Sequence, residues 1–173
     1  IPVSVKGHIF VKGLPTFEIL FNTSESHRLI AEAIQEMWHR ELGLNVRLVN
    51  EELKSTLDAR RTGNYQIMRS VWIADYDDPS SFLRIWTSDS GNNYGQWQNA
   101  EFDKLMDQAQ MEPDAKIRGQ ILAEAEQIAL DDYAVVPTNF RKTRNLVKTY
   151  VKGFIPNLRD FNRTRWLWIE GKP

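Results

Sequence analysis

Residues 65–83 read YQIMRSVWIADYDDPSSFL, and the character of the chain changes abruptly within them. From Tyr65 to Ala74 the run is rich in apolar residues and carries a single charge, Arg69. It then breaks into Asp75-Tyr76-Asp77-Asp78-Pro79. Tyr65, Ile67, Val71, Trp72 and Ile73 favour a pleated, buried strand, and an Asp/Pro cluster ends one, so the stretch predicts a strand emptying into an acidic loop. In open α/β sheets, ligands bind beyond the carboxyl ends of the strands. The acids therefore stand where a binding site is expected.

Working back from that strand, Thr16 to Phe21 (TFEILF) reads as another strand, closed by the polar turn Asn22-Thr23-Ser24. Thr23 or Ser24 can cap a helix whose apolar positions are Ile30, Ala33, Ile34, Met37, Trp38 and Leu42, with Gly43 as its C′ residue. Asn45 to Val49 forms the next strand. A helix from Glu52 to Thr62 follows, with Leu53 and Leu57 one turn apart and Gly63 as its stop. Two β-α-β units in succession predict a sheet of parallel type.

Working forward, Pro79 suits the first turn of a short helix through Ser81, Phe82, Leu83 and Trp86. Residues 87–98 are dense in Ser, Asp, Gly and Asn, which predicts a loop anchored by Tyr94 and Trp97. Two amphipathic helices fill Ala100 to Asp132. The second is opened by Pro113 and Asp114, and both have apolar stripes suited to covering a sheet. Ala134 to Phe140 returns to strand, with Pro137 arguing for an edge. Leu146-Val147 and Trp166 to Ile169 are further short β candidates. Ile1 to Gly13, interrupted by Lys6, His8 and Lys12, reads as an arm and not as a signal peptide. The expected organisation is an arm over 1–15, an α/β core over 16–144 and a less regular tail over 145–173.

Composition narrows the function classes. The 173 residues, 42% hydrophobic and 26% charged, fit one globular domain. A formal net charge of −1 gives no field that recommends nucleic acid or an anionic membrane as partner. No apolar run approaches the length of a membrane span. The absence of cysteine removes disulfides, thiolate metal sites and cysteine nucleophiles together. No P-loop, GxGxxG, GxSxG or HExxH pattern occurs, so no catalytic machinery is visible and no cofactor is expected.

The loop acids admit three readings. A calcium loop requires alternating ligands, a central Gly and a late Glu, a scheme that Pro79 and Phe82 break. A catalytic pair requires two carboxyls in contrasting environments. A carboxylate offered to a cationic ligand group remains. Against all three stands a solvated turn in which an acid caps the helix at Pro79. Capping suits Asp78, recognition suits Asp75 nearest the strand, and Asp77 is undecided.

Three arginines lie near the same strand. Arg60 and Arg61 end a helix, where the macrodipole favours cations anyway. Arg69 in an apolar run needs a partner or a wet cleft. A carboxylate at one place and guanidinium groups at another could hold a zwitterion, such as the two ends of a peptide. His27 and His39 are too far apart on one helix to share a metal by local spacing. His27, in the helix's first turn, is placed for ligand contact.

These residues resemble a known family. NTSESHRLIAEAIQEMWHRELGLNV (residues 22–46), the WIADYDDPSSFL segment with its preceding Arg69, and NAEFDKLMDQA (residues 99–109) are similar to the C-terminal part of periplasmic oligopeptide-binding proteins of ABC importers, murein-peptide-binding proteins included. The similarity runs from about Thr16 to the end of the chain. It implies one lobe of a type II periplasmic binding protein, an α/β fold with a mixed sheet and flanking helices, located in the periplasm or lipid-anchored outside a Gram-positive cell. It implies a non-catalytic receptor that closes two lobes over an extended peptide, pairs with it by β-strand addition, and delivers it to ABC permease subunits.

On the matching positions, Asp75 would take the peptide α-ammonium. The backbone of Val71, Trp72 and Ile73 would supply the ladder, and Arg60, Arg69 and His27 would meet the C-terminal carboxylate or a charged side chain. Leu53 stands where relatives often carry a groove-wall tryptophan. Family members are far longer, so the chain is expected to be a fragment whose N-terminal lobe is missing and whose tail would return to that lobe. Two alternatives are kept: a metal-assisted hydrolase using Asp75, Asp77 and Asp78, and a receptor of the same family for a dipeptide, a nickel complex or haem.

Overall fold

The computed structural model describes residues 16–140, 142–157 and 159–171; the arm expected over 1–15 lies outside them. The chain divides into two compact units, Ile1–Val71 and Trp72–Pro173.

In the first unit, β1 (Phe17–Asn22) is followed by α1 (Glu25–Leu42), β2 (Val46–Glu51), α2 (Leu53–Thr62) and β3 (Ile67–Met68). The sheet order is β2-β1-β3. β1 runs parallel to β2 from Phe17↔Val46 to Asn22↔Glu51, and parallel to β3 at Ile19↔Ile67 and Leu20↔Met68. Ile19, Leu20 and Phe21 are all buried, as befits a central parallel strand covered on both faces. Ile19 and Phe21 build a core with Ala31 of α1 and Val46 of β2, against which Ile34, Trp38 and Leu48 pack.

Helix α1 begins and ends near the expected residues, but its N-cap is weaker than predicted. Ser24 occupies the cap position in extended backbone, its hydroxyl paired with that of Ser26 and not with a helix amide. At the other end Gly43 adopts φ 66°, and the N–H groups of Gly43 and Leu44 donate back to the carbonyls of His39 and Trp38. Met37 and Leu42, expected on the buried stripe, are exposed. In α2 the inward residues are Thr56 and Ala59, whereas Leu53 and Leu57 face solvent. The helix meets β1 through small side chains, and the leucines are left on its outer side.

The strand expected over Tyr65 to Ala74 is reduced to Ile67–Met68. The Arg69 amide extends the ladder by one bond, donating to the Leu20 carbonyl at 2.8 Å. Residues 69–74 then run without regular structure.

The second unit starts in that irregular segment and turns into the one-turn helix α3 (Ser80–Leu83), continued by a 3-10 turn at Arg84–Trp86. Helices α4 (Ala100–Met111) and α5 (Ala115–Asp131) pack on each other. Both are capped from the sequence position directly before them. The Asn99 carboxamide oxygen accepts from the amides of Glu101 and Phe102, and the Asp114 carboxylate accepts from those of Lys116 and Ile117. Phe102, Met106, Ala109, Leu122, Ala125 and Ala129 form most of the core between them. Trp97 closes it edge-on against Phe102, ring centroids 4.9 Å apart.

Neither Ala134 to Phe140 nor Leu146-Val147 forms the expected strand. Pro137 lacks a ladder donor, and Val136, Phe140 and Leu146 are exposed without a neighbouring strand among the described residues of this unit. Of the Trp166 to Ile169 stretch, Trp168–Ile169 becomes β5 and pairs antiparallel with β4 (Val151–Lys152), while Trp166 ends a 3-10 turn.

Candidate ligand site

The predicted site residues fall on both units, four on the first and three on the second. On the first, His27 lies in the opening turn of α1, just past the carboxyl end of β1. Its Nδ1 lies 2.6 Å from the Oδ1 of Asn22, the last residue of β1, a contact that fixes the ring plane. Arg60 is half-buried near the end of α2, and its positive charge partly offsets the burial that pushes the Tyr65 hydroxyl up.

Arg69 directly follows β3. Its Nε is buried and has no hydrogen-bond partner among the described residues. Burial pulls its pKa below the ordinary arginine value, yet an arginine stays charged at neutral pH. A buried guanidinium edge without an acceptor is a costly arrangement unless an anion or ordered water meets it. Val71 closes the unit with a partly exposed side chain.

On the second unit, a compact network shapes the acidic loop. The Trp72 indole N–H donates to the Ser81 carbonyl at 3.0 Å, and the Asp75 amide donates to the Ser81 hydroxyl at 2.7 Å. The Ser80 amide donates to the Asp78 carboxylate at 2.9 Å, which gives Asp78 the capping role expected of it. Arg118, from α5, binds Asp78 through two nitrogens, Nη2 to Oδ1 at 2.9 Å and Nη1 to Oδ2, and its Nη2 also reaches the Ser80 hydroxyl at 3.3 Å. This guanidinium holds the Asp78 carboxyl well below the usual carboxylate range. Beside the network a cavity of about 180 Å³ is lined by Tyr76, Ser80, Arg84, Met106, Gln110 and Arg118 among others.

Asp75 differs from Asp78. Its side chain is exposed, and among the described residues no hydrogen bond or ion pair engages its carboxylate. Ile73 is 51% exposed, and among the described residues no backbone partner takes up the amides and carbonyls of Val71, Trp72 and Ile73. The segment thus offers a row of backbone donors and acceptors ending in an unengaged carboxylate. Among the described residues no three acidic or histidine side chains converge to hold a metal ion, so Asp75, Asp77 and Asp78 lack the cluster that the hydrolase reading needs.

A larger open concavity of about 690 Å³ lies elsewhere on the first unit, between α1 and β2 around Gln35, His39 and Arg47, and includes none of the predicted site residues. Sequence reasoning missed Arg118, Ser80 and Ser81. The two serines follow the Pro79 turn and were legible as loop polar residues. Arg118 reads in the sequence only as the polar side of an amphipathic helix.

Comparison with known proteins gives a consistent answer. Residues 4–94 match the family described as bacterial extracellular solute-binding proteins, family 5 Middle. The periplasmic murein peptide-binding protein MppA of Escherichia coli is 36% identical over 152 residues, which cover 87% of this chain and 28% of that protein. The periplasmic oligopeptide-binding protein OppA of Salmonella typhimurium is 40% identical over 139 residues, 80% of this chain and 26% of that protein. Among solved structures, Haemophilus influenzae OppA in complex with the peptide RPPGFSPFR superposes with a TM-score of 0.81 at 37% identity, over 89% of this chain and 31% of that one. The chain therefore spans between a quarter and a third of the length of these relatives. The α/β fold is that of the periplasmic binding proteins.

Proposed function

The chain belongs to the bacterial extracellular solute-binding proteins of family 5, and from that premise we propose that it forms part of an oligopeptide receptor serving an ABC importer. In this reading a peptide lies along Val71, Trp72 and Ile73 and pairs with their backbone as an added strand. That mode binds without reading side chains. Asp75 receives the peptide α-ammonium, while Arg60, Arg69 and His27 serve its carboxylate end or an acidic side chain. The receptor works outside the cytoplasm, does no chemistry, and hands the peptide to permease subunits; the opposite wall of the groove comes from the other lobe.

The observation that carries this reading is the segment 71–75, where Val71, Ile73 and Asp75 are exposed, the backbone groups of 71–73 have no partner among the described residues, and an unengaged carboxylate stands at the end. Unpaired strand-edge groups are a template for pairing with another chain. The buried, partnerless Nε of Arg69 is the matching need for an anion.

Calorimetry on the full-length protein that carries this chain, titrated with trialanine, tests the proposal. Truncating one partner of a buried charge pair costs about 2–5 kcal/mol, so Asp75→Asn is expected to weaken binding by well over tenfold. Asp114→Asn is the control, because asparagine caps a helix about as well as aspartate. Equal affinities for the two variants would reject Asp75 as the amine anchor.

A further inference from the structure

Arg118 belongs to α5, a helix whose apolar side packs against α4. The structure joins it to the loop that carries the proposed amine anchor, forty residues earlier in the chain. From Arg118 the connections run inward in short steps. The guanidinium grips both carboxylate oxygens of Asp78 and touches the Ser80 hydroxyl. Asp78 holds the Ser80 amide, and its own carbonyl accepts the Ser81 amide at 3.0 Å. Ser81 then holds two groups of the binding segment: its hydroxyl takes the Asp75 amide and its carbonyl takes the Trp72 indole N–H.

Ser80 and Ser81 are 6% and 3% exposed, so water is poorly placed to replace these links. Arg118 is itself tethered, its Nε donating to the Ala109 carbonyl at the end of α4 at 2.9 Å. Its position is thus set by the packed α4–α5 pair, a rigid base compared with the irregular segment at 69–74.

We infer that Arg118 is a positioning residue for the ligand amine: acting through Asp78, Ser80 and Ser81, it fixes the backbone from which the Asp75 carboxylate projects and holds the Trp72 side chain. The inference rests on Asp75 as amine anchor. A planar guanidinium bound to both carboxylate oxygens fixes orientation as well as distance, which a lysine ammonium does not. A charge carried on a preset backbone binds a cationic centre better than one on a segment that must be ordered on contact. Arg118 acts on the amine end alone, so its loss should be felt in discrimination between free and blocked peptide termini.

The experiment compares trialanine with N-acetyl-trialanine in calorimetry on the full-length protein, with thermal unfolding recorded for every variant. Arg118→Met and Ser81→Ala are each expected to cut the preference for the free amine by about tenfold, within the range found for residues that orient a binding group. Binding of the acetylated peptide should change by less than about twofold. Arg118→Lys should fall between wild type and Arg118→Met. If both peptides weaken equally, or neither does, Arg118 is a structural residue only and the inference is wrong, while Asp75 can still be the anchor. If Asp75→Asn itself leaves the preference untouched, the underlying reading fails. Should Arg118→Met lose its cooperative unfolding transition, Ser81→Ala and Arg118→Lys decide by the same criterion.

Discussion

Asp78 and Arg118 face each other as a two-pronged ion pair, both side chains only about a quarter exposed, across forty residues of sequence. The pair stitches the acidic loop to α5. Because Asp78 also accepts the Ser80 amide, its ionised form is stabilised from two directions in the folded chain.

That geometry makes stability depend on acid pH in a defined way. The folded-state pKa of Asp78 is depressed relative to its unfolded value near 3.9. Its contribution is therefore complete above about pH 5 and is lost as pH falls through and below the unfolded value. Asp78→Asn should lower stability at pH 7 by about 1.5–3 kcal/mol, the range of a hydrogen bond to a charged group. The gap to wild type should shrink steadily below about pH 4. Urea unfolding of the two proteins at several pH values checks this, and a gap that widens in acid would contradict the assignment.

The caps of α4 and α5 give a second expectation. Asn99 satisfies two N-terminal amides and also donates through Nδ2 to Asp132 at 2.9 Å. Asn99→Ala should cost about 1 kcal/mol or somewhat more, against a few tenths for Asn99→Gly. Ser24, whose side chain caps no amide of α1, should tolerate alanine at a cost below about 0.5 kcal/mol. Denaturant midpoints for the three variants rank them.

The ribbon β4–β5 depends on Gly153. With φ 80°, this residue would drive an added Cβ into the Trp166 carbonyl oxygen and to 2.7 Å from the Trp168 ring. Gly153→Ala should therefore break the Val151↔Ile169 pairing, in contrast to Gly119→Ala, whose Cβ meets nothing within 4 Å. Amide exchange at Glu170, whose N–H donates to the Tyr150 carbonyl, should accelerate only in the first variant.

What the sequence made legible was local. Period and punctuation located α1, α2, α4 and α5, the glycine stops at 43 and 63, and the parallel β-α-β order, because each depends on residues within a turn or two. The failures share a cause. Whether Tyr65 to Ala74 becomes one long strand, or Ala134 to Phe140 any strand, is decided by which neighbours supply a ladder. Composition does not encode that. The one-turn spacing of Leu53 and Leu57 does not say which face α2 buries, and the helix seats itself on Thr56 and Ala59 with its leucines outward. Asp75 stood out as a strand-end acid, but the Asp78–Arg118 pair that anchors its loop is a contact across forty residues with no pattern to announce it.

Arg69 supplies the last prediction, in which stability and binding part company. Its buried Nε has no acceptor among the described residues, and burial already lowers its pKa, so the charge is held at a cost to the unliganded protein. Replacing a half-buried cation whose Nε lacks an acceptor with an apolar side chain of similar length removes that desolvation cost. Arg69→Met should leave the unfolding midpoint unchanged or raise it. The same variant should weaken binding of a peptide with a free carboxylate by about 2 kcal/mol or more, since truncating a buried charge partner removes that much. A C-terminally amidated peptide lacks the anion and should discriminate far less between wild type and variant. The two peptides are titrated into both proteins, with thermal unfolding measured alongside. A large loss of stability, or an equal loss of affinity for both peptides, would mean that Arg69 is held by the fold and not for the ligand.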